Sequence, residues 1–377
     1  MQSLTLDKKL QLLDFKTDSS AYGLLFTKEI ENYKDDPNVS FDQILILHQA
    51  QELKAKAVYF RLIEGRSPVP QIFIYDNSDN SLHEDELNDI HKKLWSSGIV
   101  PLYYVFDNTE VKIFNCRKPS NKKNLKATPF YDCSLVSAAH EEYKKYSADL
   151  FQNGTFWELP ENSKRFNVNN SSYKKLIDGL KKIRDEFVKG QEEKICNKLL
   201  VLSIFIKYLE ERKDSQGNSV LNADYFNKYK GATCFCDVLR NNQVIQLFKD
   251  LSKDINGKIF ELDKDEQKAI SKLNHLKLAD FLDAKKESNN QYVFWKLYDF
   301  NYLPVELISR IYEEFIPDRK DITYTPIHLV NFMIDECMPI TKPQKQKDFK
   351  LIDVSCGSGI FLVSAFKRMV QWWQKEN

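Results

Sequence analysis

The sequence predicts an α/β domain, then a mainly α-helical bundle, then the opening strand and helix of a further α/β domain. Three observations carry this expectation. Between residues 58 and 114 lie four short runs rich in aromatic and β-branched residues, with one helical pattern among them. From residue 173 onward apolar residues recur at steps of three and four. Near residue 350 an apolar run leads through Asp353-Val354-Ser355-Cys356-Gly357-Ser358-Gly359 into the apolar Ile360-Phe361-Leu362-Val363.

Residues up to about 50 read as helical scaffold, with Leu10, Leu12, Leu13, Leu24, Leu25 and Phe26, then Ile44 and Leu47, around a polar turn at Asp35-Asp36-Pro37-Asn38. Strands are expected at 58–62, 71–75, 102–106 and 111–114, with a helix over 82–94, so the first domain spans 1–116. Residues 117–172 have linker composition. Arg117-Lys118-Pro119-Ser120-Asn121-Lys122-Lys123-Asn124-Leu125-Lys126 carries five cations and no aromatic, as a solvated loop does, with phosphate contact as the alternative. A helix over 138–151, with Tyr143, Tyr146, Leu150 and Phe151 at near-helical spacing, interrupts it, and 162–172 is a second polar stretch.

Residues 173–316 read as the bundle. Leu176, Ile177, Leu180, Ile183 and Phe187 form one stripe, and 196–209 is apolar on most sides, as a central helix would be. Further helices are expected over 235–251, 264–272 and 304–315. Glu313 and Glu314 are adjacent on the last, where neighbours diverge by about a hundred degrees, so a solvated face is expected rather than a catalytic pair.

Composition bounds the function. A chain of 377 residues suggests two or three domains, and 42% hydrophobic content supports real cores. Lys+Arg 55 against Asp+Glu 54 gives a net charge of +1, which argues against non-specific coating of nucleic acid and leaves room for a local basic face. Seven cysteines without a disulfide pattern fit reduced thiols and a cytoplasmic location. Cys234-x-Cys236 has no second pair at zinc spacing, so no metal ligands are assigned. The longest apolar stretch, 199–206, is too short to span a bilayer, and no membrane partner is expected.

The glycine turn carries the chemistry. Two glycines flanking a serine let backbone approach a ligand closely, and an acidic residue at the strand end accepts hydrogen bonds from a polar ligand group. The helix that follows points amide donors into the same crevice. Upstream, Thr325 stands just ahead of Pro326 at a helix start, where its hydroxyl is expected to cap that helix and face a ligand.

Asp353-x-x-Cys356-Gly357-Ser358-Gly359 followed by Phe361-Leu362, with Tyr324-Thr325-Pro326 about thirty residues upstream, resembles the S-adenosylmethionine site of the adenine-N6 DNA methyltransferases of restriction-modification systems, of the single-chain and type I modification kinds. The resemblance implies a Rossmann-like methyltransferase domain from 317 to 377, with cofactor contacts from Tyr324, Thr325, Pro326, Asp353, Ser355, Cys356, Gly357, Ser358, Gly359 and Phe361. Cys356 reads as a small packing residue there. Double-stranded DNA is the implied substrate and partner, with a specificity or restriction subunit as a further partner.

The family's Asn- or Asp-Pro-Pro-aromatic tetrapeptide, which holds the flipped adenine, has no counterpart, because no Pro-Pro dipeptide occurs. No catalytic residue is therefore assigned, and the chain is expected to be the front part of a longer enzyme and inactive alone. A non-catalytic DNA-binding or regulatory fragment is the alternative. Residues 1–116 resemble the nuclease-like module that precedes the methyltransferase in single-chain enzymes. Magnesium would enter only if that module cut DNA, and its Glu-x-Lys pair is missing: Glu52-Leu53-Lys54 falls in a helical stretch, and Asp76 and Asp79 read as a surface turn.

Overall fold

A computed structural model of the chain describes residues 4–17, 23–63, 67–121, 125–135, 145–167, 171–188, 192–214, 216–255, 258–283, 296–315, 325–340 and 349–376. The chain divides into two compact units, residues 1–175 and 176–377.

The first unit is built on a six-stranded mixed sheet whose spatial order follows the sequence: β1 (Leu24–Phe26), β2 (Ala57–Arg61), β3 (Val69–Asp76), β4 (Leu102–Phe106), β5 (Glu110–Asn115) and β6 (Tyr131–Ser134). β3 and β4 are parallel, joined by the crossover helix Glu84–Ser97, and every other neighbouring pair is antiparallel. Both faces of the central strands are covered, which is why β3 and β4 read as continuous apolar runs. On one face Ile72, Ile74, Leu102, Tyr104 and Phe106 join a core with Leu10, Phe15, Phe151 and Phe156. On the other, Tyr103 stacks on Phe114 at 4.5 Å and lies 5.8 Å from the ring of His91 in the crossover helix.

The four expected strands form close to their expected bounds. β1, read as helical, is a strand because Leu24, Leu25 and Phe26 pair with Tyr59, Val58 and Ala57; three residues show no periodicity of their own. The sheet also continues past residue 116. β6 pairs with β5, and the short helices Ala148–Asn153, Thr155–Glu158 and Pro160–Arg165 bury Phe151, Phe156 and Asn162. The stretch expected to be a linker is therefore part of the first unit, held by its aromatics. Residues 138–144, half of the helix expected over 138–151, lie outside the described residues.

The second unit is helical. In Glu193–Glu211 every residue from Leu199 to Ile204 is buried, as a central bundle helix requires. The helix expected over 235–251 is two, Phe235–Arg240 and Val244–Asp254, because Asn242 takes a left-handed φ of 53° between them. Val305–Phe315, Ile327–Cys337 and Ile360–Glu376 close the chain. In the last pair, Val330, Ile334 and Met338 meet Ile360, Ala365 and Trp372. The Arg368 side chain, 10% exposed, locks them: it donates to Met338 O at 2.6 Å, to Asp335 Oδ1 at 2.6 Å and to Gln371 Oε1 at 2.9 Å. Leu362, Phe366, Val370 and Trp373 form an apolar stripe on the exposed side of Ile360–Glu376.

The strand expected before the glycine turn does not form. Residues 349–353 are irregular, and Leu351, Ile352 and Val354 are exposed. A parallel strand takes its backbone hydrogen bonds from neighbours, and none of the described strands pairs with this segment.

Two predictions follow from these contacts. Burial holds the His91 imidazole down to about 4, below its usual ~6.5. The folded-state value is the lower one, so stability is full above about pH 6.5 and falls as pH drops toward 4, where the unfolded chain alone takes the proton. Urea unfolding followed by tryptophan fluorescence should show wild type losing about 2 kcal/mol more than His91→Gln between pH 7 and pH 5. Arg368→Met should destabilise the second unit by about 2 kcal/mol, because it strips donors from a buried carbonyl; the same urea titration at neutral pH checks it.

Candidate functional site

Three segments of the second unit converge on one place. Arg368 bonds Asp335 and Met338, Trp372 Nε1 donates to Pro339 O, and Lys375 Nζ donates to Ile340 O. Partners advance together along both helices, so Ile327–Cys337 and Ile360–Glu376 run parallel. Ile327 and Ile360, the first residues of the two helices, pack in the same apolar cluster. Thr325-Pro326 and Gly357-Ser358-Gly359 thus stand at the same end of the pair. Val305–Phe315 runs the opposite way: Glu306 pairs with Lys367, and Glu313 near its other end accepts a hydrogen bond from Ser358 Oγ.

The loop itself is a series of tight turns. Asp353 Oδ1 accepts a bond from Ser355 N at 3.0 Å, while its Oδ2 is buried with no protein partner. Gly357 and Gly359 have φ of 52° and 79°, a region that favours glycine. Gly359 N donates to Cys356 O at 2.6 Å, and Gly359 O then receives Val363 N at 2.9 Å as the helix begins. A Cβ placed on Gly359 would meet nothing within 4 Å, so its Cα faces open space. The loop therefore offers an uncompensated carboxylate oxygen, a bare backbone approach and the amide end of a seventeen-residue helix.

The residues expected at the site fare differently. Asp353, Ser355, Cys356, Gly357, Ser358 and Gly359 lie together in the loop, and Thr325 and Pro326 stand at the same end. Cys356, expected to pack, is exposed. Phe361 borders the apolar cluster between the helices. Pro326 rather than Thr325 occupies the helix cap position, and no side chain caps that helix, because Pro326 keeps an extended ψ of 139° and its carbonyl receives Leu329 N and Val330 N. Tyr324 lies outside the described residues. Glu313, expected on a solvated face, is 7% exposed and bound to Ser358, whereas Glu314 is solvated and pairs with Lys181. No local signal marked this: Glu313 lies on the side of the helix away from Leu307, Ile311 and Phe315 and level with Glu306, on the face that meets Lys367 and Ser358.

In the first unit Asp76 is the last residue of β3 rather than part of a turn. The wholly buried Lys9 brings its Nζ within 3.9 Å of Asp76 Oδ1 and 2.5 Å of Ser78 Oγ. Asp79 is exposed and accepts Ser81 N at 3.0 Å. Among the described residues no three His, Cys, Asp or Glu side chains are grouped to hold a metal ion. Cys234 and Cys236 hydrogen-bond to each other, which draws the Cys234 thiol down to about 7 and pushes Cys236 up. No described helix is long and apolar enough to cross a membrane.

No family model matches the chain, and no curated protein matches it. Among solved structures, it is similar to a chain of the cryo-electron-microscopy structure of a DrdV–DNA complex, at 13% identity and a TM-score of 0.27. The match covers 97% of this chain and 36% of that one, so the chain spans about a third of the length of the protein it matches.

Proposed function

We propose that the loop from Asp353 to Gly359, with Thr325-Pro326 and Glu313 around it, binds S-adenosylmethionine as part of a DNA adenine-N6 methyltransferase of a restriction-modification system. The observation that carries this reading is that one loop holds a buried Asp353 Oδ2 without a protein partner, open space at Gly359 and the amino terminus of a helix. A cofactor with an ammonium and a carboxylate at one end fits that donor set. Asp353 Oδ2 accepts from the ammonium, and the first amides of Ile360–Glu376 face the carboxylate. Gly359 leaves open space at its Cα for the ligand, and Glu313 holds the loop through Ser358.

When bound, the cofactor supplies an electrophilic methyl group on a sulfonium sulfur, and binding by these residues would orient it. The choice of adenine N6 and of duplex DNA rests on the resemblance of the loop and of Thr325-Pro326 to that family. These 377 residues contain no Pro-Pro dipeptide, so none is assigned to holding the target base, and this chain alone is expected to transfer no methyl group. An endonuclease role for the first unit has less support, since the carboxylate of Asp76 already faces the Lys9 ammonium.

Calorimetric titration with S-adenosylmethionine tests the reading. Wild type should bind saturably, Asp353→Ala should bind about tenfold or more weakly, and Glu313→Gln should weaken binding less while leaving one site per chain. Asp79→Ala, an exposed carboxylate of the first unit, should bind as wild type. Equal affinity for wild type and Asp353→Ala, or no saturable binding by wild type, would sink the assignment.

A further inference from the structure

A second concave site lies in the first unit, in the basic run that follows β5. The segment is built into the fold rather than draped over it. His91, neutral and buried, donates from Nε2 to Lys118 O at 2.8 Å and accepts from the Tyr103 hydroxyl at 3.2 Å through Nδ1. Asn115 Oδ1 receives Arg117 N at 2.8 Å, and Asn121 and Leu125 close the turn by Leu125 N to Asn121 O at 2.7 Å and Asn121 N to Lys126 O at 2.9 Å.

The cavity so enclosed has a volume of about 270 Å³ and is lined by Lys118, Lys126 and Lys175 together with Ser120, Asn115 and Thr128. None of its lining residues is a carboxylate; Lys126 pairs with Glu84 at 2.6 Å at the surface. Ser120 is 8% exposed, and its hydroxyl is buried with no hydrogen-bond partner in the protein. A buried hydroxyl without a partner costs free energy that a ligand would return. Lys118, Lys126 and Lys175 in the lining favour an anionic ligand.

We propose that this cavity binds a phosphate ester, with Ser120 Oγ donating to a phosphate oxygen and Lys118, Lys126 and Lys175 neutralising its charge. The volume lies just under the ~300 Å³ at which drug-sized ligands begin to fit, so it takes a phosphoryl group and part of what is attached to it. A free nucleotide and a DNA backbone both present that chemistry. The inference is independent of the methyl-donor site, which lies in the other unit.

The test is calorimetric titration of the full chain with inorganic phosphate, adenosine monophosphate and a short DNA duplex, at low and at physiological salt. Ser120→Ala should weaken binding about tenfold, and Lys118→Ala combined with Lys175→Ala should weaken it at least as much; Lys28→Ala, an exposed lysine elsewhere on the unit, should not. Loss with all three probes identifies a small phosphate ester as a ligand, and loss with the duplex alone identifies a backbone phosphate. Either result supports the site. No binding of any probe at millimolar concentration, unchanged affinity in the variants, or an equal loss in Lys28→Ala overturns it. A readout that needs no variant accompanies these: in the wild-type chain the bound probe should slow acylation of Lys118 and Lys175 but not of Lys28, and equal rates with and without the probe also overturn it.

Discussion

The arrangement of the second unit's last helices depends on one buried cation. A guanidinium presents several donors in a fixed plane, so its partners are held in direction as well as distance. Arg368 uses that fork on the carbonyl and carboxylate at the end of Ile327–Cys337, where backbone acceptors have no partner within their own helix. The bond fixes how far one helix slides along the other. Because the two run parallel, fixing the slide at one end also fixes which residues stand level at the other. Thr325-Pro326 and the glycine loop stand at that far end, so a contact remote from the loop bears on its placement.

The same device, a polar group held from behind, recurs where the fold shapes a concave surface. Glu313 reaches Ser358 from an antiparallel helix and steadies a loop that has no strand to lean on. His91 does this for the basic run, using both ring nitrogens, and its burial keeps it neutral so that it adds no charge beside Lys118. Lys9 is buried outright beside Asp76 and Ser78. In each case a buried polar group holds a loop or strand end in position. Polar groups buried this way are satisfied or are candidates for function, and Asp353 Oδ2 and Ser120 Oγ are of the second kind.

Long periodic segments were legible from sequence: the central strands, the crossover helix, the buried helix around Leu200 and the helix after Gly359. Each carries enough residues for a period to emerge. What escaped detection depended on partners far along the chain. Leu24-Leu25-Phe26 become a strand only through β2, and the aromatics between 146 and 166 become core only because the sheet offers them a face. At the site, the loop residues and their glycines were legible because tight turns leave a local signature. Glu313 was not, because its role is set by a serine forty-five positions later. Residues 349–353 show the converse, since strand composition without neighbouring strands does not make a strand.

The strand order of the first unit bears on how the chain acquires its shape. Each strand lies beside the one before it in sequence, so the sheet can lengthen by one strand at a time without waiting for a distant segment. The hairpins β2–β3 and β4–β5 close loops of seven and three residues, whose entropy cost is small. Pairing β1 with β2 spans 30 residues, and the parallel pairing of β3 with β4 spans 25 and needs the helix Glu84–Ser97 to cross over first. On a ribosome, where the amino-terminal part emerges first, the hairpin of β2 and β3 would form early and wait, with the apolar faces of Phe73 and Tyr75 uncovered until that helix arrives. The interval between residues 76 and 102 is then the period in which the nascent chain most needs shielding.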